Sequence, residues 1–189
     1  QEERIFMFLD LKSSTAIAEK IGHMKYSQMI RDCFIDINAI AKKHQAEIYQ
    51  YVGDEVVLTW KTQALSEKLR VIECYYDTKF LFEAKQEYYL EKYGLLPEFK
   101  AGAHLGTVTA VEVGSIKREV AYHGDTMNVT SRIEGKTGEF SANLLVSKTL
   151  ADSIQWDDRY LATPIVSVYL TGRQKPITIL DVRSYLDNP

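Results

Sequence analysis

Short apolar runs, bounded by glycine, proline or polar residues, recur along the whole chain. The run over residues 5–11 is almost continuously hydrophobic and predicts a buried central strand. Two later runs meet at Gly53 and Asp54 and predict a hairpin. In all, the pattern predicts strands over residues 5–11, 47–52, 55–60, 99–104, 108–113, 144–146, 166–170 and 176–183.

Apolar residues at helical spacing lie between these strands. Ser13, Ser14 and Thr15 are residue types that favour helix starts, and a helical pattern follows them until a short break at Gly22. The pattern then resumes with one apolar face, made of Tyr26, Met29, Ile30, Cys33, Phe34, Ile37, Ile40 and Ala41. Further helices are predicted over residues 64–93, 125–136 and 147–153.

The order of these elements is β-α-α-β-β-α-β-β-α-β-α-β-β. Because hairpins are mixed with helices, this order predicts an α+β fold in which helices flank a mainly antiparallel sheet. With 189 residues and no internal repeat or linker, residues 1–189 are predicted to form a single domain. The chain reaches its first strand at once, so we expect a domain that belongs to a longer, regulated protein.

Composition narrows the class of protein. Hydrophobic residues make up 46% and charged residues 26% of the chain, as in soluble globular proteins. A net charge of −3 gives no sign of the basic surface that nucleic-acid binding usually requires. No apolar run approaches the ~20 residues of a membrane-spanning helix. Cys33 and Cys74 lie in apolar helical patterns and are predicted to be buried free thiols.

Two carboxylates stand at the ends of predicted strands. Asp10 lies where the first strand gives way to a helix start, and Asp54 lies in the turn of the hairpin. If these strands are neighbours, both carboxylates project from the same edge of the sheet. Mg²⁺ takes oxygen ligands in proteins, and two metals can together activate one oxygen and neutralise a leaving group. Taken singly, Asp10 could instead be a helix cap and Asp54 a turn residue.

Polar groups suited to a triphosphate accompany the carboxylates. Amides at a helix start favour phosphate oxygens, which predicts phosphate binding by residues Lys12, Ser13, Ser14 and Thr15. Downstream, Asn128 and Arg132 lie four residues apart on a predicted helix. The order Asp, Asp, Asn, Arg suits two divalent metals and a triphosphate. The alternative for Arg132 is a surface pair with Glu134 or Glu139.

These stretches together resemble one known family. Phe8-Leu9-Asp10, Val52-Gly53-Asp54 and residues 100–106 and 124–132 match, in order and at similar spacing, the motifs of the class III nucleotidyl cyclases, the adenylate and guanylate cyclases. Residues 170–173 resemble the final strand turn of that family. The resemblance implies a ferredoxin-like, palm-type sheet flanked by helices, most like that of a bacterial homodimeric adenylate cyclase.

The resemblance also implies roles for individual residues. Cyclase active sites lie between two subunits arranged head to tail. Asp10 and Asp54, with the carbonyl of Leu11, would hold two Mg²⁺ or Mn²⁺ ions. From the other chain, Asn128 would orient the ribose and Arg132 would stabilise charge on the α-phosphate.

Several positions depart from the family pattern. Lys100 stands where cyclases usually have a phosphate-binding arginine, so it keeps the charge but loses the bidentate fork. Thr171 replaces a common lysine, and Arg173 could take over its phosphate contact; surface roles for Lys100 and Arg173 are the alternatives. At the base-reading positions stand Gln50, which can both donate and accept hydrogen bonds, and Ala121, which can do neither with its side chain.

The sequence therefore predicts an adenylate cyclase that converts ATP into 3′,5′-cyclic AMP and pyrophosphate with two metal ions. The nearest alternative is a guanylate or dual-specificity cyclase. Another is a silent regulatory domain that only dimerises, although the four candidate catalytic residues are all present. The expected partners are ATP, or GTP, and a second copy of the chain, without nucleic acid. The expected location is the cytoplasm or the cytoplasmic face of a membrane-anchored parent protein.

Overall fold

The structure, a computed structural model, describes residues 1–169 and 172–187. Its elements follow one another as β1 (Glu2–Leu11), α1 (Ser14–Ile21), α2 (His23–Lys43), β2 (Glu47–Val52), β3 (Glu55–Lys61), a 3₁₀ turn (Thr62–Ala64), α3 (Leu69–Ala84), α4 (Gln86–Tyr93), β4 (Phe99–Val113), β5 (Glu119–His123), α5 (Thr126–Gly135), β6 (Leu144–Ser147), α6 (Lys148–Ser153), β7 (Tyr160–Val168) and β8 (Ile177–Ser184).

A mainly antiparallel sheet carries the fold, which confirms the predicted α+β class. Its strands lie in the order β2-β3-β1-β4-β6-β8-β7, and β5 pairs with the far half of β4. Between the described strands, β4 and β6 form the parallel pair. The first strand of the chain therefore lies near the middle of the sheet, between β3 and β4.

Alternate residues of β1 face two different cores. Ile5, Met7 and Leu9 are fully buried in the large core beneath α2 and α3. Phe6 and Phe8 point to the other face, where they pack with residues of β3 and β4. A strand covered on both faces needs a nearly continuous hydrophobic run, as the sequence pattern predicted.

Helix α5 covers the second face at unusually short range. A Cβ atom built on Gly102 of β4 would lie 2.4 Å from the backbone nitrogen of Glu134. One built on Gly106 would lie 2.4 Å from the Thr126 hydroxyl oxygen. Both ends of α5 therefore rest directly on β4, and two glycines provide the space.

The prediction of one long helix is wrong in two respects. The helix predicted over residues 64–93 begins at Leu69, because the preceding segment forms a 3₁₀ turn whose Thr62 hydroxyl donates to the Glu3 carbonyl at 3.1 Å. The helix is also interrupted at Lys85. At this break, the Lys85 ammonium reaches Asp36 on α2 at 2.8 Å.

The strands also differ in part from the prediction. Strand β4 runs unbroken through Gly106, where two strands were predicted, because this glycine makes room for α5 and does not form a turn. Strand β5 was missed, since its apolar run is only three residues long, Val120 to Tyr122, and its residues are exposed or half-buried. Strand β7 begins at Tyr160, and Leu170 and Thr171 lie outside the described residues.

Two further predictions can be compared directly with the structure. Cys33 and Cys74 are buried free thiols, as expected. In the described part of the chain, none of the helices combines the length and the hydrophobicity that a bilayer crossing requires.

Replacing Gly102 with alanine should destabilise the domain by about 1–3 kcal/mol, because the added methyl group overlaps the backbone of Glu134 and α5 must move. Urea unfolding measures the change. The control is Gly135→Ala at the end of the same helix, where a Cβ meets no other atom within 4 Å. Equal stability of the two variants would contradict the close approach of α5.

Candidate functional site

Three carboxylates from three elements meet at the end of β1. In the strand register, Asp10 lies opposite Glu55 on β3 and opposite Lys100 on β4. Glu134 of α5 reaches the same place. One carboxylate oxygen from each of Asp10, Glu55 and Glu134 lies within 4.8 Å of the other two. The register of the strands and the position of α5 on the sheet therefore bring three carboxylates together.

Asp54 adds a fourth carboxylate. It lies in the turn after Gly53, whose φ of 60° is in the left-handed region that favours glycine. Burial and then the charge of Asp54 raise the pKa of Asp10, so the two predicted metal ligands lie close enough to interact. Burial and the same charge also raise the pKa of Tyr26 on α2. The structure therefore brings Asp10 and Asp54 to one edge of the sheet, as expected.

The electrostatics of this cluster are unfavourable without a cation. Burial, together with the charges of Asp10 and Glu134, raises the pKa of Glu55 to about 7. Burial and the charge of Asp10 likewise raise the pKa of Glu134 to about 7. The Lys100 ammonium lies 3.7 Å from Glu134 Oε1. Its positive charge lowers the pKa of Asp10 and of Glu134 and so opposes the rise. One ammonium does not balance four carboxylates.

The donor set fits a hard divalent cation. Asp54 Oδ2 and Glu134 Oε1 are buried and, among the described residues, accept no hydrogen bond, although Glu134 Oε1 is ion-paired with Lys100 at 3.7 Å. Buried carboxylate oxygens are normally hydrogen-bonded, paired or bound to metal. An all-oxygen, anionic site is what Mg²⁺ and Mn²⁺ prefer. Asp10 and Asp54, with the Leu11 carbonyl, remain the predicted ligands, and the geometry adds Glu55 and Glu134 to the candidates.

The predicted phosphate segment is only partly available. The Lys12 amide donates to the Glu98 carbonyl at 2.8 Å, so it cannot also bind a phosphate, and the Lys12 ammonium contacts Asn143. Ser13 stands at the N-cap of α1 in a left-handed conformation, and its side chain makes no cap hydrogen bond. Phosphate binding at Ser13, Ser14 and Thr15 stays a prediction.

Helix α5 divides its residues between two faces. Val129 and Ile133 are buried against the sheet, and Glu134 enters the carboxylate cluster. Asn128 and Arg132, one turn apart, are exposed. The same helix thus contributes an acid to the inner site and an amide and a guanidinium to the outer surface.

Arg173 lies at the start of α5. Its guanidinium donates to Asp125 Oδ2 at 2.7 Å, and both side chains are partly exposed. A phosphate contact by Arg173 stays a prediction; the bond to Asp125 uses only Nε–H, one of the five N–H donors of the guanidinium. Thr171, the other departure noted at this turn, lies outside the described residues.

The two predicted base-reading residues line one open cavity of about 580 Å³. A bulge in β2 between Ile48 and Gln50 shifts the register there. Ala121 reaches the cavity from β5. Beside it the Tyr122 amide donates to the Tyr49 hydroxyl at 3.2 Å, which ties β5 to β2. The structure therefore places Gln50 and Ala121 together.

Glu55 and Glu134 were missed as site residues. For Glu134 a signal exists, because Thr126, Thr130 and Glu134 follow one another at four-residue spacing on the buried face of α5. A charged residue on a buried helix face calls for a partner. For Glu55 the sequence carries no such signal, since the register that places it opposite Asp10 is a property of the folded sheet.

The metal-free protein should lose stability as the pH rises. Glu55 and Glu134 have an ordinary pKa of 4.5 that the fold raises to about 7, so the folded state binds protons more tightly than the unfolded state. Their stabilisation is complete below the unfolded pKa and is lost as pH passes the folded pKa. Thermal unfolding in EDTA should show a falling midpoint from about pH 5 to about pH 8.

Glu134→Gln should flatten this pH dependence, because one of the two groups no longer titrates. The exposed Glu91→Gln serves as control and should leave it unchanged. A wild-type midpoint that rises over the same pH range would contradict the arrangement.

Comparisons with known proteins concern the family and the fold of this chain. The family model described as the adenylate and guanylate cyclase catalytic domain matches residues 2–180. Adenylate cyclase 2 of Rhizobium meliloti strain 1021 is 33% identical over 182 residues, which cover 96% of this chain and 50% of that protein. The chain thus spans about half the length of this curated relative.

Solved cyclase structures share the fold. The adenylyl cyclase CyaB from P. aeruginosa has a TM-score of 0.82 at 17% identity, over 97% of this chain and 94% of that one. The guanylyl cyclase Cya2 has a TM-score of 0.82 at 19% identity, over 96% and 91%. Because both kinds of cyclase superpose equally well, the fold does not distinguish ATP from GTP. With a family model that spans nearly the whole chain, this protein belongs to the adenylate and guanylate cyclase catalytic domain family.

Proposed function

We propose that this chain is an adenylate cyclase domain that converts ATP into 3′,5′-cyclic AMP and pyrophosphate in a homodimer. The observation that carries the proposal is the position of Asp10 and Asp54 at one sheet edge, where Asp54 Oδ2 is buried and, among the described residues, accepts no hydrogen bond. Such a site suits the cations that accompany a triphosphate. The curated relative at 33% identity, named an adenylate cyclase, supports the same activity.

The reaction forms one phosphorus–oxygen bond and breaks another. The 3′-oxygen of ATP attacks the α-phosphorus, the hydroxyl proton is lost, and pyrophosphate leaves. Bound Mg²⁺ or Mn²⁺, two per site, would lower the pKa of the hydroxyl and neutralise the triphosphate. Asp10, Asp54 and the Leu11 carbonyl would hold these ions. Little covalent chemistry is left to the protein, so its residues act by positioning and by electrostatic stabilisation.

Other side chains would act on the nucleotide directly. Lys100, opposite Asp10 in the sheet, would contact the triphosphate, and Arg173, beside Asp125, would join it. Arg132 would stabilise charge on the α-phosphate, while Asn128 would orient the ribose. All four side chains are polar groups that water reaches at least in part. They are therefore accessible to a ligand.

A second copy of the chain completes the site. Asn128 and Arg132 face outward on α5, whereas the carboxylates lie beneath the helix, so a head-to-tail partner would supply the outer pair. Two-fold association of identical chains then gives two equivalent sites. The strands at the cavity and the turn between β4 and β5 expose apolar side chains that an interface would cover, namely Tyr51, Val52, Val113, Ile116 and Val120.

ATP is the preferred substrate in this account. Gln50 can donate to adenine N1 and accept from its amino group, whereas the carboxylate common in guanylate cyclases is absent. Ala121 offers no second polar contact in the same cavity, so the penalty for guanine is modest and some GTP turnover is expected.

The setting of the domain follows from the same proposal. Residues 1–189 would act as one catalytic domain within a longer regulated protein, because the curated relative is about twice as long. Its nucleotide substrate places it in the cytoplasm, or on the cytoplasmic face of a membrane-anchored parent protein.

Chromatographic detection of cyclic nucleotides from ATP and from GTP, with Mn²⁺ at high protein concentration, tests the activity. Cyclic AMP should be the main product. Asp10→Asn and Asp54→Asn should abolish most turnover, and Arg132→Ala should lower the rate on the order of 10²–10³-fold. The exposed Arg31→Ala is the control. Full activity in any of the three site variants, or no cyclic product from dimeric wild-type protein, would contradict the proposal.

Gln50→Glu should raise the GTP-to-ATP ratio of kcat/KM by roughly tenfold, because a carboxylate accepts from guanine N1 and N2 but offers no proton to adenine N1. The exposed Gln155→Glu controls for the added charge. An unchanged ratio would show that Gln50 does not contact the base.

A further inference from the structure

We infer that the hydroxyl of Tyr49 donates a hydrogen bond to N7 of the purine base and is a second base-contacting group beside Gln50. The inference rests on the proposed function, because it takes the cavity lined by Gln50 and Ala121 as the base site. Tyr49 lines the same cavity, although no motif in the sequence singles it out.

The bulge in β2 turns two consecutive side chains to the same face of the sheet. Ile48 pairs with Leu58 and packs into the large core beneath α2 and α3. Gln50 pairs with Val57, which belongs to the opposite face, and partners across a ladder share a face. Tyr49 packs on that opposite face as well. In a regular strand Tyr49 and Gln50 would point in opposite directions, so the bulge brings both to the cavity.

Aromatic contacts hold the half-buried ring of Tyr49 in place. Its centroid lies 6.3 Å from that of Phe6 and 5.0 Å from that of Tyr122. The Tyr122 amide donates to the Tyr49 hydroxyl oxygen at 3.2 Å. Because Tyr122 follows Ala121 in β5, this bond holds a polar oxygen next to the position whose own side chain has none.

The hydroxyl hydrogen of Tyr49 remains available. Within the part of the chain that the structure describes, Tyr49 takes part in a hydrogen bond only as the acceptor. Two other hydroxyls that line the cavity already donate, Tyr51 to Asn38 at 2.8 Å and Thr59 to the Ile5 carbonyl at 3.0 Å. With the Tyr122 amide on its oxygen, the Tyr49 hydroxyl is oriented as a donor to a ligand.

Purine N7 is the acceptor that suits this donor. In the proposed site the Gln50 amide pairs with N1 and with the group on C6 of the base. N7 is the next ring nitrogen along that edge, and it is an acceptor in both adenine and guanine. Tyr49 would therefore select purines over pyrimidines, which have no N7, while Gln50 distinguishes one purine from the other.

A purely structural role for the hydroxyl is the alternative. In that case Tyr49 would only tie β5 to β2 through the Tyr122 amide. Tyr49→Phe keeps the ring and removes the hydroxyl, so a structural defect would weaken every nucleotide by the same factor. A contact with N7 would instead weaken only the nucleotides that possess this nitrogen.

The test compares kcat/KM of wild-type protein and Tyr49→Phe with ATP, GTP and 7-deaza-ATP, in which carbon replaces N7. Wild-type protein should use 7-deaza-ATP about five- to tenfold less efficiently than ATP, as expected for one hydrogen bond. Tyr49→Phe should lose about the same factor with ATP and with GTP, yet use 7-deaza-ATP as well as wild type does. Tyr185→Phe, at an exposed tyrosine, is the matched control and should change none of these values.

Equal losses by Tyr49→Phe with ATP and with 7-deaza-ATP would overturn the inference. Wild-type protein that does not distinguish ATP from 7-deaza-ATP would overturn it too, and this comparison needs no variant should Tyr49→Phe fail to fold.

Failure of the proposed function gives a different result. If wild-type protein forms no cyclic product, calorimetry measures the corresponding affinities, since nothing consumes the nucleotides. A loss in Tyr49→Phe confined to nucleotides with N7 would then support the contact and contradict the turnover alone. Cyclic AMP formation that is indifferent to N7 would contradict the contact alone, and the absence of any nucleotide binding would contradict both.

Discussion

Repulsion among carboxylates at the end of β1 is the constraint on which the site depends. The fold places Asp10, Asp54, Glu55 and Glu134 together, with Lys100 as the cation that opposes them. The cluster is electrostatically unfavourable, since burial and the neighbouring carboxylates raise the pKa of Glu55 and Glu134 to about 7. In the proposed function, divalent cations that accompany the triphosphate would supply positive charge to these carboxylates.

Helix α5 connects this constraint to the rest of the molecule. Two glycines of β4 let it lie against the sheet closely enough to lower Glu134 into the cluster. Its opposite face carries Asn128 and Arg132 to the surface. One helix therefore presents residues on two opposite faces. In the proposed function, a head-to-tail partner would bring its Asn128 and Arg132 to the carboxylates of this chain.

Sequence pattern predicted the central strand, the hairpin at Gly53 and the helix that carries Asn128, because each depends on local hydrophobic spacing. It also predicted that Asp10 and Asp54 lie at the same edge of the sheet. It failed where local spacing is not decisive: a helix breaks at Lys85, whose ammonium contacts Asp36, and β5 forms with an apolar run of only three residues. Glu55 escaped notice because strand register, which sequence alone does not specify, makes it a neighbour of Asp10.

The most direct test of a site shared between two chains mixes two inactive variants, Asp10→Asn and Arg132→Ala. In a mixed dimer, one of the two sites takes its carboxylates from the Arg132→Ala chain and its arginine from the Asp10→Asn chain, and it is therefore intact. With free exchange, half of the dimers are mixed, so the mixture should recover about a quarter of wild-type activity. Native mass spectrometry with differently tagged chains verifies that exchange occurs. A mixture that exchanges fully and stays as inactive as either variant alone would contradict the shared site.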